Sequence, residues 1–196
     1  MTELLETKFD LLKDLGIAEE TMLSSLDTMV IGETKYVKDL RINLKNTVNS
    51  ELLSLKESYL IAAAIAINEK VKLLSESFFE KAKENGASEA EIAETVACAS
   101  LLATNNVFYR YKHFIKNNTD KYQNMPARIK MNIMMHPVLG KEFFELMSLA
   151  VSAVNGCGSC VSSHEESVRK LGSNEERIFD AVRLAAVVKG LAVAFN

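Results

Sequence analysis

Apolar residues recur at close to the helical period along almost the whole chain. Leu4, Leu5, Phe9, Leu12 and Leu15 stripe one face of a first helix that Gly16 ends, and Glu19 to about Val30 reads as a second. Tyr36 to Val48 allows a third. Leu52 to Lys83 reads as one long helix around the alanine-rich stretch LIAAAIAI, stopped by Gly86. Ser88 and Glu91 form an S-x-x-E capping box that opens a helix running to about Tyr111. The polar stretch Asn117 to Met125 predicts a loop, and Pro126 and Pro137 bracket a short helix from Ala127 to Met134. An amphipathic pattern from Lys141 breaks at Asn155-Gly156, and the next helix runs to about Lys170 before Gly172. Asn174 opens a last helix to about Ala194, with Glu175 and Glu176 in its first turn. No segment reads as a strand.

The pattern also repeats. Sliding the chain against itself by 86 residues pairs 60–107 with 146–193, and ten of the 48 pairs are identical, among them Leu60/Leu146, Gly86/Gly172, Ile92/Ile178 and Ala99/Ala185. Helical composition inflates chance identity, so the matching stops and starts carry more weight. They predict two copies of a helical hairpin unit, about 55–111 and 141–196, within a single all-helical domain spanning 1–196.

Composition agrees with this reading. Eight glycines and two prolines in 196 residues leave too little turn punctuation for a β-sandwich or barrel. A net charge of −3 gives no general attraction to nucleic acid. The longest uncharged run, Leu146 to Ser163, is broken by Asn155-Gly156 and Gly158, which predicts no membrane span. The N-terminal MTELLETKFDLLKDLG lacks the apolar stretch of a secretory signal, and three cysteines make no even disulfide framework, so the expected compartment is the reducing cytoplasm.

Candidate chemistry concentrates in Cys157-Gly-Ser-Cys160 followed by His164. Steps of three, four and seven residues keep both thiols and the imidazole on one helix face. Such a pair can close and reopen a disulfide through its thiolate, and a helix N-terminus or a neighbouring imidazole lowers a thiol pKa. The repeat matches positions 157, 160 and 164 to Val71, Leu74 and Phe78, so this face packs in the first copy and is expected to be half buried in the second. Glu145, inside the apolar FFELMSLAV, matches Tyr59 and is the acid placed to reach the site from the preceding helix as a base or relay member. Zinc ligation by Cys157, Cys160, His164 and Glu145 stays open, although no second Cys/His pair completes the usual ligand pattern. Cys98, among Ala97, Ala99 and Leu101, reads as a small core residue, and His136 and His113 read as surface and helix-end residues.

Phe144 to Gly172, with TNNVFYRYKHF (104–114) and MPARIKMNIM (125–134), resembles the alkyl hydroperoxidase D family of the carboxymuconolactone decarboxylase-like superfamily, from about residue 50 onward. The resemblance implies an all-helical homo-oligomer, commonly a trimer, that reduces organic hydroperoxides. It implies that Cys160 is the peroxidatic nucleophile passing through a sulfenic acid, that Cys157 resolves it as a disulfide and donates a proton, and that Glu145 and His164 belong to a proton relay. It further implies no bound cofactor or metal, electrons supplied by the lipoyl group of a 2-oxoacid dehydrogenase component, and a two-cysteine peroxiredoxin as partner.

One position departs from the family. Some members carry histidine immediately before the second cysteine, where this chain has Ser159, whose hydroxyl can hold a water or hydrogen-bond a thiolate but does not titrate near neutrality. Helix position and family also pull apart: if Asn155 caps the helix, Cys157 gains most from the dipole, whereas Cys160 faces His164, and the attack is assigned to Cys160 on the family's pattern. The alternatives are a small-lactone decarboxylase, for which paired thiols have no evident use, and a non-enzymatic redox-regulated docking protein.

Overall fold

The computed structural model describes residues 2–117 and 120–196. Helices α1 (Glu3–Asp14), α2 (Ser24–Ile31) and α3 (Tyr36–Val48) precede α4 (Leu55–Asn68), α5 (Lys72–Glu84) and the long α6 (Glu89–Phe114). A short α7 (Asp120–Asn124) and a single 3-10 turn (Asn132–Met134) lead to α8 (Lys141–Val154), α9 (Gly158–Lys170) and α10 (Glu175–Ala194). The described residues contain no strand, and none of their helices is long and apolar enough to cross a membrane.

The core is built around α4 and α8. Every residue from Leu60 to Ala66 is fully buried, and its alanines let neighbouring helices approach closely while Leu60, Ile61 and Ile65 fill the gaps. Each of those branched side chains contributes roughly 1.5–3 kcal/mol by leaving water. Helix α4 packs against α5, α6, α8 and α10, and α8 packs against α9, α6 and α10. Both α4–α5 and α8–α9 are hairpins, and their four helices begin and end 86 residues apart: 55–68 against 141–154, and 72–84 against 158–170.

Local chemistry explains most boundaries. Ser54 and Ser88 form complete capping boxes with Glu57 and Glu91, and the Asn174 side chain accepts from the Arg177 N–H at 2.9 Å. Gly86 and Gly172 end α5 and α9 at positive φ.

Four expectations need correction. The stretch from Leu52 to Lys83 is two helices, because Lys70 adopts φ 63° and the chain reverses at Glu69–Val71. The second helix starts at Ser24, five residues later than Glu19, because the Asp27 carboxylate accepts the Leu23 N–H at 3.0 Å and fixes the start there. Between the prolines only Asn132–Met134 is helical; Arg128 takes φ 54° and the loop's end is gripped by Glu94, whose carboxylate accepts the N–H groups of Val138 (2.9 Å) and Leu139 (2.6 Å). Of the expected loop at Asn117–Met125, Asp120–Asn124 is helical, and Asn118 and Thr119 lie outside the described residues.

Candidate functional site

The α8–α9 turn sets the site. Asn155 caps the end of α8, Gly156 takes φ 67°, and the next two N–H groups turn back: Gly156 to the Ala153 carbonyl (3.1 Å) and Cys157 to the Ser152 carbonyl (3.1 Å). This is a Schellman motif, in which the residue two past the cap folds against the helix it has left. That residue is normally apolar. It is Val71 in the first hairpin, where Lys70 and Val71 bond back to the Ile67 and Ala66 carbonyls (2.9 and 3.0 Å), and Cys157 in the second. Cys157 is accordingly fully buried.

Helix α9 begins at Gly158, so Cys157 is its N-cap and Cys160 its third residue. The condition under which Cys157 would gain most from the dipole, Asn155 as the cap of this helix, is not met: Cys160 lies in the first turn, where the helix dipole favours a thiolate by about 0.3–1 kcal/mol. Helix position and proximity to His164 then favour the same sulfur. Cys157 and Cys160 are disulfide-bonded, with Cα atoms 5.3 Å apart.

One turn further along α9, His164 Nδ1 lies 2.6 Å from Oε2 of Glu145, which α8 projects from below. Both side chains are nearly enclosed, at 13% and 10% exposure. An ionised carboxylate only accepts, so Nδ1 donates to it and Nε2 is the nitrogen left to exchange a proton. Ser159 places its hydroxyl 3.7 Å from the buried Cys157 sulfur.

Cys160, Ser159, Ser163 and His164 form one wall of a cleft of about 430 Å³. Asn105 and Tyr109 of α6, with Met131 and Met134 from the segment before α8, form the other. The cleft therefore opens onto Cys160 and leaves Cys157 behind it. Helical spacing brings both cysteines and His164 together, with Glu145 reaching them from the preceding helix, and carries no sign of the opposite wall. Two adjacent asparagines, poor helix formers in mid-helix, were the available signal for it.

A cluster of amides fastens the turn from behind. Asn155 Nδ2 donates to Asn68 Oδ1 (3.1 Å) and Asn106 Oδ1 (2.9 Å), and its Oδ1 accepts from Asn68 Nδ2 at 2.9 Å. Asn106 Nδ2 donates to Ser152 Oγ (2.9 Å), and Arg110 Nη1 to the Asn155 carbonyl (2.7 Å). The other residues considered lie apart. Cys98 is fully buried, with its sulfur 3.6 Å from Ser148 Oγ, and burial pushes its pKa up to about 12. His136 and His113 are exposed, and among the described residues no group of three or more His, Cys, Asp or Glu is arranged to hold a metal ion.

Comparison with known proteins identifies relatives over most of the chain. A model of the carboxymuconolactone decarboxylase family matches residues 120–196. The alkyl hydroperoxide reductase AhpD of Coxiella burnetii (strain RSA 493 / Nine Mile phase I) is 39% identical over 160 residues, 80% of this chain and 89% of the relative. The protein of the same name from Hyphomonas neptunium is 39% identical over 171 residues, 86% and 92% of the two chains. That from Beijerinckia indica is 36% identical over 172 residues, 88% and 94%.

Proposed function

The chain belongs to the AhpD family of alkyl hydroperoxide reductases, and from that premise we propose that it is a thiol peroxidase in which Cys160 attacks and Cys157 resolves. The observation that carries the reading is the asymmetry of the pair: Cys160 borders the cleft beside the His164–Glu145 couple, while Cys157 is sealed beneath it.

The Cys160 thiolate attacks the terminal oxygen of a hydroperoxide. An S–O bond forms, the O–O bond breaks, and the alkoxide leaves with both electrons of that bond. His164 Nε2, having taken the proton of the Cys160 thiol when the thiolate formed, returns it to the alkoxide to make an alcohol, and Glu145 stabilises the imidazolium in between. Cys157, as thiolate, attacks the sulfenic sulfur, and hydroxide departs as water on taking up a proton. The Ser159 hydroxyl, within reach of the Cys157 sulfur, supports a role in holding that proton or a water; it stands where some relatives carry histidine. A dithiol then attacks the disulfide from the cleft side, at Cys160.

The dithiol is proposed to be the lipoyl group of a 2-oxoacid dehydrogenase component, and the onward partner a two-cysteine peroxiredoxin. Self-association fits an exposed apolar row on α6, made by Val107, Tyr111 and Phe114, at 62%, 48% and 73% exposure.

The test is stopped-flow oxidation of the reduced protein by tert-butyl hydroperoxide, with thiol counting by mass spectrometry. Loss of the thiols at 157 and 160, with Cys98 intact, is expected. Cys160→Ser should abolish the reaction, and Cys157→Ser should stop at a sulfenic acid that dimedone traps on Cys160. Full peroxide turnover by Cys160→Ser would sink the assignment.

A further inference from the structure

Asn105 and Asn106 are neighbours on α6, both more than nine-tenths buried, at 6% and 2% exposure, yet their carboxamides are treated differently. Asn106 is satisfied at both ends, donating to Ser152 and accepting from Asn155. Asn105 donates only to the Met131 sulfur, at 3.0 Å, and its Oδ1 has no hydrogen-bond partner among the described residues. A thioether accepts and never donates, so the nitrogen must face Met131 and the oxygen is the end left over. Buried carbonyl oxygens of this kind are few in folded proteins, and this one lies just beneath the surface of a residue that lines the cleft, within reach of a ligand that would satisfy it.

We propose that Asn105 is the substrate-binding acceptor of the cleft, its Oδ1 taking a hydrogen bond from the O–H of the hydroperoxide opposite Cys160. The inference rests on the peroxidase reading above and names a contact which that reading lacks. In the attack, the hydrogen stays on the terminal oxygen as it passes to sulfur: Cys–S⁻ and H–O–O–R become Cys–S–O–H and R–O⁻. An acceptor on that hydrogen therefore holds the reacting oxygen toward Cys160 without removing a proton at any point. His164, on the opposite wall, is left free to serve the departing alkoxide. The methionines flanking Asn105 supply an apolar surface for the alkyl portion.

The experiment compares wild type, Asn105→Leu and Asn105→Ala in four measurements: the second-order rate with tert-butyl hydroperoxide, the rate with the thiol reagent 5,5′-dithiobis(2-nitrobenzoic acid), disulfide reduction by dihydrolipoamide, and thermal melting. The expected result is a loss of roughly tenfold in the hydroperoxide rate for both variants, with thiol-reagent and dihydrolipoamide rates unchanged. Asn105→Leu should melt close to wild type, since the buried oxygen it removes has no partner and offsets the loss of one amide–thioether hydrogen bond. An unchanged hydroperoxide rate overturns the proposal. So does a parallel fall in hydroperoxide and thiol-reagent rates, which would mean that Asn105 shapes the site without touching substrate, and so does a loss confined to the dihydrolipoamide step. A wild-type protein inert to hydroperoxide instead removes the peroxidase reading itself, a result visible before any variant is compared.

Discussion

Glu145 Oε2 and His164 Nδ1 meet at 2.6 Å across the α8–α9 hairpin, in a region where each side chain is nearly closed to solvent. Neither helix surface explains this carboxylate on its own. Glu145 sits on a face that is otherwise apolar from Phe143 to Ala150, apart from Ser148, which bonds its own helix at the Phe144 carbonyl. The imidazole is its partner.

Removing the charge while keeping the shape therefore tests the couple. Glu145→Gln should slow oxidation of Cys160 by about 10²-fold, a typical share for one member of a proton relay, and His164→Asn by a similar factor. Because the two act as a unit, the double variant should be little slower than the worse single one. Stopped-flow rates of the three variants against wild type provide the check, and multiplied losses would show independent roles.

Cys98 is a control thiol within the same chain. Its pKa is raised to about 12, by burial first and then by the carboxylates of Glu94 and Glu145, against the Ser148 hydroxyl, which pulls it partly back. Iodoacetamide at pH 8 should therefore alkylate the reduced native protein without touching Cys98 and should label it fully in urea. Peptide mapping distinguishes the two cases.

The ion pair of Lys8 with Asp27, 2.5 Å apart, predicts a pH signature in stability. Burial pushes the Asp27 carboxyl up, but hydrogen bonds from Lys8 and the Leu23 N–H, with the Lys8 charge, outweigh it and hold the group below its usual 3.8. With the folded value the lower one, the pair stabilises fully above about pH 3.8 and loses that contribution as pH falls through the folded value. Asp27→Asn should cost about 1 kcal/mol at pH 7, at the low end because the Asp27 side chain is 32% exposed and its charge is screened. Urea titrations should show the gap to wild type closing below pH 3.8.

The paired Schellman turns predict opposite effects at matching positions. Gly156→Ala places a Cβ at φ 67° and should destabilise by roughly 1 kcal/mol, whereas Lys70→Gly relieves the same conformation at φ 63° and should stabilise by a similar amount. Denaturant midpoints measure both, and equal effects of one sign would contradict the assignment.

What could be read in the sequence was whatever depends on near neighbours. The capping boxes at Ser54 and Ser88, the stops at Gly86 and Gly172, and the common face of Cys157, Cys160 and His164 all follow from spacings of three to seven residues. The turn at Lys70 escaped because a lysine holds the left-handed conformation that a glycine would have announced, inside an unbroken apolar run. Asn155 does not cap α9, an option its residue type left open, because its side chain is bonded to Asn68 and Asn106, partners 87 and 49 residues away. The far wall of the cleft, with Asn105 and Tyr109, depends on how α6 crosses α9, which no local pattern encodes.

The amide clasp at Asn155 bears on how the two redox states would differ. Through it the turn before Cys157 is tied to α4 and α6, two helices outside its own hairpin, so the backbone there is not free to swing when the sulfur–sulfur bond opens. The 5.3 Å between the two Cα atoms is the ordinary i, i+3 spacing of a helical turn, a distance that needs no sulfur–sulfur bond to hold it. Opening and closing are left to rotation of two side chains over an unmoving frame. The oxidised and reduced proteins then present nearly the same outline, and a partner that distinguishes them has to read the Cys160 sulfur itself.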